Sequence, residues 1–214
     1  MTTVTAEIRA NRITRSLLGY GVLAGPLYIG VSLAQALTRD GFDLTRHAWS
    51  LLSNGSLGWL QIANFAVTGL MVLAAAAGIA GAVPHSRWAG RLVGVFGASL
   101  VAAGCLRADP AMGFPAGTPE GPGTVSWHGA GHLVAGAIGF LAVVAAAWVL
   151  ARHQSRGLAL CSRVSGTAFL LAFAGIASGN SAPGFTLGFV AGVAIIFAWL
   201  AVVSIRLYRM LPGE

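Results

Sequence analysis

Polar and apolar positions divide the chain into six apolar runs separated by short polar stretches. The runs fall at about 17–37, 60–83, 89–106, 127–151, 164–179 and 185–205. Each is ~16–25 residues long, enough for a helix rising ~1.5 Å per residue to cross a ~30 Å hydrocarbon core. The pattern therefore predicts an all-α, polytopic bundle of six transmembrane helices. Residues 1–16 and 207–214 read as polar tails around one membrane domain over 17–206, and no repeat relates its two three-helix halves. The first run carries Pro26, a kink position, and ends in Ala34-Gln35-Ala36, which resembles a signal-peptidase site. That run exceeds the ~7–15 residues of a signal-peptide core, so a retained helix is the better reading.

The polar stretches have patterns of their own. In 38–59, Leu44, Ala48, Leu51 and Leu52 follow helical spacing, and Asp43, His47, Ser50 and Asn54 form a polar stripe. This predicts an interfacial helix in the first loop, with Trp49 and Trp59 at headgroup level. Trp88, Trp127 and Trp148 also sit near span ends, as an aromatic belt requires. The stretch 107–126 is rich in Gly and Pro and has no helical period. Gly90, Gly94 and Gly97, and again Gly184, Gly188 and Gly192, form small-residue stripes suited to close helix packing. Gln61, Asn64 and Asn180 read as hydrogen-bonding groups between helices.

Composition supports the membrane reading. With 56% hydrophobic and 9% charged residues, the chain lacks the charge to cover a soluble surface. Its net charge of +7 would fit nucleic acid, but every basic residue is Arg and the arginines are dispersed between apolar runs. They read as topology determinants, and no nucleic-acid partner is expected. With the N-terminus inside, Arg9, Arg12, Arg15, Arg87, Arg91, Arg152, Arg156, Arg163, Arg206 and Arg209 are cytoplasmic. Only Arg39, Arg46 and Arg107 are outside, beside Asp40, Asp43, Asp109 and Glu120. That asymmetry predicts a multi-pass plasma-membrane protein with both termini cytoplasmic. Cys105 and Cys161 fall on opposite faces, which argues against a disulfide or a shared metal.

The chemistry gathers at the predicted outer face. His128 and His132 lie four residues apart and share the first turns of the fourth helix, just after a loop carrying Arg107 and Asp109. Asp109, His128 and His132 are a candidate ligand set for one zinc or another divalent metal, with His47 an alternative third ligand. Asp43 or His47 would then serve as general base. The plainer reading is a polar cap in which the histidines hold Asp109 and loop carbonyls and satisfy the start of the helix. His128 and His132 on one helix cannot clasp a haem iron axially, and Ser50 beside His47 and Asp43 is a weak nucleophile pattern. The spans carry no Asp, Glu, Arg, His or Lys near their middles, which argues against proton-coupled transport.

The stretches HAWSLLSNGSLGWLQIANF, Ala108-Asp109-Pro110 and GTVSWHGAGH resemble the bacterial membrane proteins grouped as domain of unknown function 998. The resemblance covers about residues 17–206 and implies a six-helix integral membrane protein without an assigned activity. Ser50-Leu51-Leu52 stands where that family more commonly carries a Ser-Glu-Leu run, so a carboxylate is missing there. Alkaline ceramidase-type membrane hydrolases combine similar ingredients, but spans five and six here have no His and a seventh span is lacking. The expectation is an outward polar His/Asp pocket for a small molecule, a lipid headgroup or a metal. A metal-dependent hydrolase is one alternative. The other is a scaffold or partner subunit in the lipid bilayer, with glycine-rich faces suited to homo-oligomers.

Overall fold

The computed structural model describes residues 2–180 and 182–212, with side chains from residue 8 onward except that of residue 87. The last two residues of the predicted tail therefore lie outside the described residues, as does the side chain of Arg87. Six α-helices follow one another: α1 Thr2–Thr38, α2 Gly58–Ala82, α3 Arg87–Cys105, α4 Trp127–Ala151, α5 Arg156–Ala177 and α6 Pro183–Met210. All six are long and apolar enough to cross a membrane, and the described residues form no strand. The protein is an all-helical integral membrane protein.

Differences from the predicted spans have simple causes. Helix α4 matches its apolar run, which Ser126 opens as N-cap by accepting from the Gly129 N–H. Helix α1 begins at Thr2 because the polar stretch before Leu17 contains good helix formers and neither Gly nor Pro to stop it. Helix α5 starts at Arg156 because Arg156 and Arg163, expected in a loop, are good helix formers too.

The helices form a ring in chain order. Each packs on its sequence neighbours, and α6 closes the ring against α1. Close approach depends on glycines where two backbones meet. A Cβ on Gly69 would lie 2.7 Å from the Gly97 carbonyl oxygen, and one on Gly97 would lie 2.9 Å from the Gly69 carbonyl oxygen. The α3 stripe thus packs on α2. On α6 only Gly192 packs inside the chain, against Ala172 and Phe169, whereas Gly184 and Gly188 face open space.

Between α1 and α2, Gln35 donates to Gln61, and Asn64 donates to the Tyr28 carbonyl and to Ser32. Gln61 and Asn64 are therefore interhelical links, as their types predicted. Asn180 is not: its side chain closes a local turn by accepting from Ala182 N–H.

The ring has two chemically distinct ends. One carries the start of α1 and the end of α6, the turns at 83–86 and 152–155, and most of the arginines. The other carries the segments 39–57 and 106–126, and is called the histidine end below.

Candidate functional site

At the histidine end the two long segments fold onto each other as a cap. Its core is His47, only 2% exposed and in ring contact with Phe42 and Phe114. Nδ1 of His47 accepts from the Asp43 N–H at 2.8 Å, which places the proton on Nε2. Nε2–H donates to the Met112 carbonyl at 2.9 Å, tying the first segment to the second.

Met112 and Gly113 both have positive φ, 57° and 84°, inside a two-residue turn closed by reciprocal Ala111–Phe114 bonds. These are the angles of a type I′ turn, which a bulky residue adopts only under constraint. The His47 bond to its carbonyl supplies part of that constraint.

Arg39 completes the cap. Its guanidinium lies 4.9 Å from the Phe114 ring centre and donates to the carbonyls of Leu52 and Asn54. Burial lowers its pKa from the ordinary arginine value. Asn54 reaches across to the Ala108 carbonyl at 3.0 Å, and Arg46 pairs with Glu120 at the rim.

The predicted interfacial helix is instead a single 3-10 turn, Trp49–Ser53, directed inward. Two members of the predicted polar stripe, His47 and Asn54, are buried in the cap, while Asp43 stays exposed. Trp49 is 3% exposed and meets Tyr28 edge-on at 5.9 Å, so it is no headgroup anchor. Trp59, Trp88, Trp127 and Trp148 are exposed, as the belt reading requires.

Beneath this roof lies a cavity of about 400 Å³ to which all six helices contribute. Its walls are mainly apolar and include a cluster of aromatic rings: Phe140 of α4 meets Phe169, Phe173 and Phe189 at 5.2–5.5 Å, and Tyr28 and Phe197 stack at 5.3 Å. His132, Ser50 and Ser99 are polar exceptions, with Ser99 already donating to the Phe96 carbonyl. His132 is 8% exposed, and its Nδ1 lies 3.0 Å from the Ala103 carbonyl and 2.8 Å from that of Leu106. Both partners are acceptors, so Nδ1 carries a proton and secures α4 to the last turn of α3. In the neutral ring, Nε2 is then an acceptor with no hydrogen-bond partner among the described residues.

Asp109 and His128 sit elsewhere, in a shallow cleft of about 270 Å³ with Arg107, Cys105 and Ser126. Asp109 accepts from the Ser126 hydroxyl at 2.6 Å and from its N–H at 2.7 Å, so it supports the cap of α4. The Ser126 hydroxyl chiefly holds the Asp109 pKa below the usual carboxylate range; the Ser126 N–H and the charges of His128 and Arg107 act the same way against partial burial. Asp43, outside the cavity, is lowered by the Thr45 hydroxyl and N–H, which it accepts at 2.7 and 2.8 Å.

A depressed folded-state pKa makes ionised Asp109 stabilising above the unfolded value of ~4, and that contribution disappears as pH falls through the folded value. Protection of the Gly129 and Ala130 amides, taken relative to their intrinsic exchange at each pH, should therefore fall on acidification from about pH 5 to about pH 3. In Asp109→Ala the fall should be smaller, because those amides are already less protected at the higher pH. Identical pH profiles would show that Asp109 does not support the cap.

The predicted residues thus divide among three places. His47 and Asp43 belong to the cap, Asp109 and His128 share the cleft, and His132 lines the cavity. Among the described residues, no three His, Cys, Asp or Glu side chains come together as a ligand set. The aromatic wall was not anticipated. Phe169 and Phe173 at i and i+4, with Phe140, Phe189 and Phe197 on neighbouring spans, were the available signal, but in an apolar run they read as ordinary lipid-facing or core residues.

No curated protein and no solved structure matches the chain. The model of a family described as protein of unknown function (DUF998) matches residues 22–206, most of the chain, and the chain belongs to that family.

Proposed function

We propose that the protein binds an apolar small molecule or lipid inside the helix ring, with His132 as its polar anchor. The observation that carries this reading is a buried histidine lining a mainly apolar cavity of about 400 Å³, its Nδ1 committed and its Nε2 without a partner among the described residues. The unpartnered Trp49 indole N–H is also packed into that cavity. Small-molecule sites typically have ~300–1,000 Å³, apolar walls and a few fixed polar groups. We place the histidine end outside and both termini in the cytoplasm of a plasma membrane, because most arginines lie at the other end. The cap then separates the cavity from the external water.

Native mass spectrometry of protein released from its membrane into mild detergent tests this. Gly136 lines the cavity, and the only atom near an added Cβ is a Phe140 ring carbon at 3.7 Å, so Gly136→Phe should fill the space without opposing backbone. A co-purifying apolar adduct should be present in the wild type and absent from folded Gly136→Phe. Equal adducts in both would overturn the cavity reading. Stoichiometric metal lost in His128→Ala but retained in Gly136→Phe would move the function to the Asp109–His128 cleft.

A further inference from the structure

Resting on that reading, we infer that the ligand is a single-chain amphiphile with a neutral hydroxyl head, drawn sideways from the bilayer between α4 and α5. The head chemistry follows from His132. Its Nδ1–H is committed to two carbonyls, so the neutral ring offers only a lone pair at Nε2. A carboxylate or phosphate would set one acceptor against another at Nε2. The unpartnered Trp49 indole N–H also lines the cavity, but one neutral donor does not offset an anion's charge there. An ammonium could donate, but no Asp or Glu lines the cavity to balance its charge. A hydroxyl donates to Nε2 without bringing a charge into an aromatic enclosure. At ~30 Å³ for each water-sized group, the cavity accommodates roughly a dozen non-hydrogen atoms, one short chain rather than a two-chain lipid.

The route follows from exposure. At the histidine end, Ala48, Trp49 and Ser50 roof the cavity, and Trp49 is 3% exposed. The exposed lining residues are on the two neighbouring helices, Leu133 of α4, 64% exposed, and Ala177 of α5, whereas the roof residues Ala48 and Ser50 are half-buried. Helix α5 is the least covered of the six spans. Nearer the arginine end, α4 and α5 are in contact, with a Gly166 Cβ position 3.0 Å from Ala147. The opening is therefore confined to the histidine-end half of this pair, on the ring's lateral surface rather than along its axis.

The test is photolabelling in nanodiscs with a dodecanol-length alcohol carrying a diazirine on its chain, beside the matched methyl ether and carboxylate. Peptide mapping should place the alcohol on α4, α5 and α6 at cavity positions such as Phe140, Phe173 and Phe189. It should exceed the ether by about tenfold, the yield of one net hydrogen bond. His132→Asn should abolish that preference while keeping the fold, because the asparagine amide nitrogen takes the place of Nδ1 toward Ala103 and Leu106. Leu133→Trp should slow labelling by narrowing the opening. Equal labelling by alcohol and ether in the wild type, which requires no variant, would overturn the hydroxyl class and leave the cavity reading standing. So would a preference for the carboxylate. Unchanged labelling kinetics in Leu133→Trp would overturn the lateral route. Failure of every probe to reach the cavity positions would overturn this inference and the proposed function together.

Discussion

Gly69→Leu is expected to prevent stable assembly of the ring, whereas Gly188→Leu leaves its melting unchanged. At Gly69 the obstacle begins with the Cβ itself. It would lie 2.7 Å from the Gly97 carbonyl oxygen and 2.9 Å from the Val101 backbone nitrogen. Backbone atoms cannot rotate aside, so α2 and α3 must separate. Separation also removes the packing of Gly97 on Leu73 and Gly104 on Phe65 along the same seam. In membranes this packing is a main source of association, because lipid solvates apolar side chains as well as protein does. Overpacking typically costs ~1–3 kcal/mol, and a clash with fixed backbone on both sides puts Gly69→Leu at or above the upper limit, about 3 kcal/mol. Gly188 has nothing within 4 Å of its Cβ position, and a change there should stay within ~0.5 kcal/mol. Thermal unfolding in detergent, followed by size exclusion, measures both. Equal loss in the two variants would mean that leucine size alone is responsible and that the α2–α3 crossing is not the weak point.

That contrast also marks how far the sequence could be read. Hydropathy located the spans because crossing a bilayer demands a long apolar helix and little else. Neighbour packing of consecutive helices followed from short connections. Closure of α6 on α1 did not, since it depends on which faces meet. Gly69 belongs to no recognised stripe and is critical, while Gly188 belongs to a clear stripe and faces open space. Small residues allow close approach; the opposing helix decides whether it occurs.

The histidines show the same limit at the level of chemistry. Their types and positions identified the end of the molecule where polar groups gather. His132 and His128, four residues apart on one helix, nevertheless enter different pockets, because α3 lies against one side of that turn and the Asp109 loop against the other. Residues 44–54 carried a true helical period, yet only Trp49–Ser53 coils. His47 and Asn54 find partners in the 107–126 segment, the carbonyls of Met112 and Ala108, and burying them there requires the inward fold. A periodicity argument sees no partner segment, so it assigned these residues to solvent.

His47→Ala separates a structural from a catalytic histidine, and its effect should be local and large. The substitution removes a ring in contact with Phe42 and Phe114 and leaves the Asp43 N–H and the Met112 carbonyl without their partner. Each buried group left unsatisfied costs ~1–3 kcal/mol. Met112, in a left-handed conformation, also loses a bond that holds it there. Opening of the cap should become easier by about 3 kcal/mol, roughly a hundredfold in exchange of the Met112 and Phe114 amides. The helix ring should melt nearly as before, since its seams lie below the cap. His47→Gln should restore part of the protection, because its amide nitrogen can replace Nε2 toward Met112. Because the cavity is roofed by Ala48, Trp49 and Ser50, ligand should also leave His47→Ala faster. Intact amide protection in His47→Ala, together with loss of a measurable activity, would instead return His47 to the role of general base.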